Sequence, residues 1–210
     1  MRDLVVGFDL DMTLVDSSPG IRATLHSLSA ETGVPIDADA VVARLGPKLE
    51  TELAHWFPTD RVAGATDRFR ALYAEHGVPG TFAMPGATES LAAVSTAGGR
   101  SIVVTAKYEP NAIACLAHVG LRVDHVVGWR WGPAKGETLA EHRAAIYVGD
   151  TPADVEGAGV AGAVAVAVPS GPHSESELEA AGADVLLRSL EEFPAWLDGW
   201  LGGRLSEPGS

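Results

Sequence analysis

The chain has 210 residues, 46% of them hydrophobic, and 28 acidic against 15 basic side chains give a formal net charge of −13. That length buries the core of one α/β domain, alone or with a small insert, and the apolar share excludes intrinsic disorder. The acidic balance excludes non-specific nucleic-acid binding and docking on anionic membranes, both of which need a basic surface. The apolar run from Val160 to Val168 is too short to span a bilayer. The opening Met1-Arg2-Asp3-Leu4 leads straight into a strand-like run, unlike a signal peptide. Cys115 is the single cysteine, which leaves no disulfide framework; it reads as a small buried hydrophobe on a helix. These features predict a soluble cytoplasmic protein.

Apolar and β-branched runs predict strands at 4–8, 101–105, 125–128, 145–148 and 163–168, with a weaker sixth at 184–187. After the first strand, Ser17-Ser18-Pro19 reads as a helix start with a Ser cap, and Ile21, Leu25 and Leu28 follow at helical spacing up to Gly33. Further helical text covers 38–45, 49–57 and 60–76 without a convincing strand, more chain than a crossover needs. The expected division is therefore a core of residues 1–15 and 83–210, with a helical cap at 16–82. Met84-Pro85-Gly86 leads into a helix over 87–97, which Gly98-Gly99 stops; another spans 110–119. Strands alternating with helices predict a Rossmann-like parallel sheet with helices on both faces. Trp129 and Trp131 read as packing against a neighbouring element or a second subunit, and Trp196 and Trp200 as one face of the last helix. The polar tail from Gly202 is expected to fray. Gly157-Ala158-Gly159-Val160-Ala161-Gly162 matches a dinucleotide fingerprint, but here a helix precedes a strand, so it reads as a tight turn. The seven histidines show no zinc-ligand spacing.

In a parallel sheet, chemistry collects beyond the carboxyl ends of the strands. Asp9 and Asp11 follow the first predicted strand, Thr105 and Lys107 the second, Lys135 the third, and Asp150 and Asp154 the fourth. Any one aspartate could be a turn or cap residue. Four converging ones repel, by roughly 4 kcal/mol for a pair about 4 Å apart at an effective dielectric near 20. Either a proton or a hard divalent cation relieves this, and oxygen-only ligands suit Mg²⁺. The chain has only three lysines, Lys48, Lys107 and Lys135, and two of them fall at these ends. They supply positive charge for an anionic substrate.

The segment Phe8-Asp9-Leu10-Asp11-Met12-Thr13-Leu14-Val15-Asp16-Ser17 resembles the signature of the haloacid dehalogenase superfamily, in particular its phosphoglycolate-phosphatase-like hydrolases with a helical cap. Arg100–Thr105 and Tyr147–Asp154 are similar to its second and fourth motifs. The resemblance implies Asp9 as nucleophile, Asp11 as acid and base, Thr105 and Lys135 on the phosphoryl group, and Mg²⁺ held by Asp9, the Asp11 carbonyl and Asp150 with support from Asp154. An Asp at position 11 implies phosphate-ester chemistry rather than carbon–halogen or carbon–phosphorus cleavage. Met12 stands where the family usually has Gly, and Gly136 where it usually has Pro. Lys107 is a rival for the role of Lys135. Arg44-Leu45-Gly46-Pro47-Lys48 falls where the resemblance places a specificity loop, which makes Arg44 and Lys48 candidate substrate ligands. The expected function is a Mg²⁺-dependent phosphatase acting on a small phosphorylated metabolite. A phosphomutase and a non-catalytic binding protein on the same fold are the alternatives.

Overall fold

The computed structural model describes residues 4–206, with side chains for 4–203. Met1–Asp3, on which the signal-peptide reading partly rests, lie outside the described residues.

Six parallel strands form one sheet in the order β5-β4-β1-β6-β7-β8. They are β1 (Val5–Phe8), β4 (Arg100–Val104), β5 (His125–Val127), β6 (Ile146–Gly149), β7 (Val164–Ala167) and β8 (Val185–Leu186). The central strands are buried on both faces, which is why they read as unbroken apolar runs. Alternate residues feed two cores. Val6, Phe8, Val103 and Val148 join one cluster; Val5, Ile102, Val104 and Tyr147 join the other. On the first side Phe193 of α10 (Phe193–Ser206) meets Phe8 edge-on at 5.5 Å between ring centres. Helix α10 carries the chain as far as Ser206, and residues 207–210 of the tail lie outside the described residues.

Between β1 and β4 the chain forms α1 (Ser18–Thr32), α2 (Ala38–Val42), α3 (Leu49–Leu53) and α4 (Thr59–Leu72), the last running into a wider turn at Tyr73–Gly77. These helices enclose an apolar cluster of their own, with Leu25, Leu28, Leu53, Phe69 and Leu72, which Cys115 of α6 (Glu109–His118) joins. Two strands that show no sequence signal, β2 (Val15–Asp16) and β3 (Phe82–Ala83), pair antiparallel where the helical insert leaves and rejoins the sheet. Ser17 occupies the cap position of α1 but does not cap it; its hydroxyl is used elsewhere, and Asp16 Oδ1 accepts from Ser18 N at 2.9 Å instead. Helix α5 (Ala87–Thr96) follows β3 and leads to β4.

Helices α7 (Pro133–Glu141) and α8 (Pro152–Ala161) pack closely on the other face. A Cβ on Gly136 would lie 2.5 Å from Val160 Cβ and 2.7 Å from Gly157 O, so this contact needs glycine on α7. Gly157 and Gly159 therefore belong to α8, not to a turn; only Gly162, with φ 66°, ends the helix as expected. The remaining helix, α9 (Glu175–Ala180), precedes β8. Among the described residues no helix is long and apolar enough to cross a membrane.

Candidate active site

Strand β1 lies where the chain order reverses: β4 and β5 are on one side, and β6, β7 and β8 on the other. A crevice forms at such a reversal. Phe8 is level with Val103 and Val148, so Asp9 emerges beside Thr105 and Asp150 at the ends of the two flanking strands. The Asp9 amide still donates to Val148 O at 2.8 Å, and the chain then folds back as Leu10 O accepts from Leu14 N and Val15 N. Within this loop Met12 has φ 61°, the left-handed conformation that favours glycine, at a cost of roughly 1–2 kcal/mol for a residue with a Cβ. Its carbonyl accepts from Ser170 Oγ, beyond β7, at 2.5 Å. The loop after β5 is tied to the one after β4 by Trp129 N to Lys107 O and Arg130 N to Thr105 O, and it delivers Lys135 in the first turn of α7.

Each of the first two aspartates has its own lysine. Lys135 Nζ donates to Asp9 Oδ1 at 2.9 Å and to Asp154 Oδ1 at 2.5 Å. Lys107 Nζ donates to Asp11 Oδ1 at 2.7 Å, where Ser17 Oγ also donates at 2.5 Å. Burial works against both ammonium groups, but Asp154 and Asp9 outweigh it for Lys135, as Asp11 chiefly does for Lys107, and both pKa values are held above the usual range. Burial pushes the Asp9 pKa up to about 6; Lys135 opposes the rise, and Asp154 and Asp11 add to it. Asp150 is raised as well, by burial and by the charges of Asp154 and Asp9. Thr105 is buried, and its Oγ1 accepts from Lys107 N at 3.3 Å, which leaves its own proton to donate.

Asp9, Asp150 and Asp154 each bring a carboxylate oxygen within 4.8 Å of the others. Three buried acids this close, two of them with raised pKa values, suit a hard divalent ion with oxygen ligands. The residues present fit such an ion unequally. Asp154 is already engaged at both oxygens, by Lys135 at Oδ1 and by Thr151 N and Oγ1 at Oδ2. The bonds recorded for Asp9 and Asp150 fall on Oδ1 alone, from Lys135 and from Thr13. A Cβ on Gly171 would lie 1.9 Å from Asp150 Oδ2, so glycine there keeps that oxygen uncovered.

Above the acids lies a cavity of about 130 Å³ between the sheet ends and the helical insert. Asp9, Asp11, Thr105, Lys107, Lys135 and Asp150 line its floor. Arg44 lines its wall, whereas Lys48, on the same loop, is exposed and does not line it.

The profile of the haloacid dehalogenase-like hydrolases matches residues 6–158, and that of a related hydrolase-like family matches 133–193. The chain belongs to the haloacid dehalogenase-like hydrolases. It is 33% identical to a phosphoglycolate phosphatase of Rhodospirillum rubrum over 93% of this chain and 89% of that one. It is 29% identical to one of Caulobacter vibrioides, over 92% and 90%. A solved haloacid dehalogenase-like family hydrolase, SP0104 of Streptococcus pneumoniae, superposes with a TM-score of 0.81 at 26% identity, covering 93% of this chain and 98% of that one. The protein is thus a phosphoglycolate-phosphatase-like hydrolase of this family.

Several groups around the site carry no separate sequence signal. Thr13 and Tyr147 stand inside the motif stretches, yet only the fold shows Thr13 on Asp150 and the Tyr147 hydroxyl 3.2 Å from Asp154 Oδ1. Ser17 looks like a helix cap in sequence. Ser170 and Gly171 lie beyond β7 with no pattern to mark them. Trp129, 56% exposed, stacks on Tyr108, while Trp131 lines the cavity. Packing on a neighbouring element is therefore the arrangement of Trp129. Trp196 and Trp200 are half-buried against the first core.

Proposed function

We propose that this hydrolase is a Mg²⁺-dependent phosphatase that removes the phosphoryl group of a small phosphorylated metabolite by way of Asp9. The observation that carries this reading is the separate pairing of Asp9 with Lys135 and of Asp11 with Lys107, since two adjacent carboxylates in different environments suit two different tasks. Asp9 is the nucleophile: a carboxylate oxygen bonds to phosphorus as the ester P–O bond breaks. Asp11 gives its proton to the departing alkoxide, then takes one from the water that cleaves the Asp9 phosphoryl bond. Its bonds to Ser17 and Lys107 both fall on Oδ1, which leaves Oδ2 for that proton. Thr105 Oγ1 and Lys135 Nζ hold the phosphoryl oxygens. Because Lys135 touches the nucleophile and Lys107 the acid–base residue, Lys135 takes the phosphoryl role and Lys107 positions Asp11.

Asp9, Asp150 and the Asp11 carbonyl would hold Mg²⁺, with Asp154 acting on it through Lys135. The ion supplies charge neutralisation between the Asp9 carboxylate and the phosphoryl oxygens. Residues 16–82 act as the cap, hinged where β2 and β3 pair, and exclude bulk water from the cavity. The buried single cysteine and a phosphorylated substrate fit a cytoplasmic setting.

The test is phosphate release from a panel of phosphorylated metabolites. Wild type releases phosphate, EDTA abolishes it and Mg²⁺ restores it, while Asp9→Asn retains less than a tenth of the activity. Indifference to EDTA, or an active Asp9→Asn, overturns the reading.

A further inference from the structure

We infer that the organic part of the substrate is uncharged and apolar, a short alkyl or aryl group, rather than a second anion such as the carboxylate of phosphoglycolate. This rests on the phosphatase reading and concerns what sits behind the phosphoryl group. The wall that the helical insert presents to the cavity is made largely of hydrocarbon: Ile21, Leu25, Val41, Leu45, Leu49 and Phe69. Tyr108 and Trp131 close it from the sheet side.

The cations of this cavity are all engaged. Four line it, Arg44, Arg70, Lys107 and Lys135, against five carboxylates, Asp9, Asp11, Glu50, Glu52 and Asp150. Arg44 Nη2 meets Glu52 Oε1 at 2.5 Å, and that same carboxylate oxygen accepts from Trp56 Nε1 at 3.4 Å. Arg70 is bonded to Glu50 and lies 3.4 Å from Asp67, while its guanidinium sits over the rings of Tyr108 and Trp129 at 5.5 and 5.2 Å. Arg70 Nε has no hydrogen-bond partner, but it is buried and does not open onto the cavity, so the ion pairs of Arg70 are made by its two terminal nitrogens. The lysines are held by Asp9, Asp154 and Asp11 at the floor, where the phosphoryl group goes. A carboxylate brought to the wall would leave water and find no unpaired cation, a loss that hydrocarbon contacts do not repay. An alkyl or aryl group loses no hydration there and gains the contacts.

The test compares kcat/KM for benzyl phosphate, 3-methylbutyl phosphate, phosphoglycolate and phosphoethanolamine, all esters of primary alcohols, with wild-type protein and Mg²⁺. The expected result is a preference of tenfold or more for the two apolar esters. Freeing or adding a cation should reverse part of it. Glu52→Gln releases Arg44, and Leu45→Arg places a new cation in the loop between Arg44 and Gly46. Each should raise the phosphoglycolate-to-benzyl-phosphate ratio at least fivefold in protein that melts cooperatively. Equal or better turnover of phosphoglycolate or phosphoethanolamine by wild type overturns the inference and leaves the phosphatase reading intact. Ratios unmoved in both variants also overturn it. No phosphate from any ester overturns the phosphatase reading, and the inference falls with it.

Discussion

Alanine at Gly136 and at Gly159 should move stability in opposite directions, although both residues are helical and only 23 positions apart. Gly136 on α7 faces α8, and its added Cβ would meet Val160 Cβ at 2.5 Å, Val160 Cγ1 at 2.6 Å and the Gly157 carbonyl oxygen at 2.7 Å. Carbon atoms rest about 3.5–4.0 Å apart, so the helices must separate by roughly 1 Å. Overpacking of that kind costs about 1–3 kcal/mol. For a chain of this size that lowers Tm by about 2–12 °C. The same displacement carries Lys135, the preceding residue, away from Asp9 and Asp154, and an error near 1 Å at a reacting centre can cost on the order of a hundredfold in rate. Gly159 on α8 has no atom beyond its own helical turn and chain neighbours within 4 Å of its Cβ position. Gly159→Ala there should gain about 0.5–1 kcal/mol from restricting the unfolded chain, and raise Tm by about 1–3 °C. Calorimetry and kcat on the two variants give the answer together. A Gly136→Ala protein with the wild-type Tm and kcat would refute the claim that this helix contact places Lys135. A Gly159→Ala protein destabilised as much as Gly136→Ala would show that packing is not what separates them.

Two further outcomes follow from the loop and the acids. Met12→Gly should leave Tm unchanged or raise it by up to about 1 kcal/mol equivalent, because relief of the left-handed strain offsets the added freedom of the unfolded chain; a loss of 1 kcal/mol or more by denaturant melting would contradict this. In metal-free protein the raised pKa of Asp9 opposes folding once the carboxylate ionises. A carboxyl whose folded pKa is raised contributes most at low pH and loses that contribution as pH climbs from about 4 through about 6. Mg²⁺ displaces the proton, so its Tm gain should be larger at pH 7.5 than at pH 5; an equal gain at both would mean that these acids are not its ligands.

The sheet and the acid cluster were legible in the sequence for one physical reason. A parallel strand buried on both faces must be apolar throughout, and a charged residue just beyond its end stands out, as Asp9 does after Val5–Phe8 and Asp150 after Ile146–Gly149. The two-residue strands β2 and β3 are too short for any periodicity, and only their pairing in space marks them. Ser17 was misread because the same residue type serves as helix cap and as carboxylate donor. Gly157 and Gly159 resemble a turn because glycine marks turns by its backbone freedom; Gly157 instead lies where α8 closely approaches α7, which only the packed helices reveal, and Gly159 is an exposed position of α8 away from that contact. Lys48 and Arg44 were indistinguishable as cations on one loop. Which of them reaches the cavity, and that Glu52 already holds Arg44, depends on how α3 folds back on the loop before it.

The phosphoryl group on Asp9 can be looked for directly. Enzyme mixed with Mg²⁺ and a turned-over phosphate ester is quenched within milliseconds and treated with borohydride, which reduces an acyl phosphate but not a free carboxylate, and the peptide around residue 9 is weighed by mass spectrometry. The account predicts reduction at Asp9 alone, dependent on substrate and absent in Asp9→Asn. Modification of another residue during steady turnover, or an unreduced Asp9 in protein quenched while phosphate is being released, would contradict it.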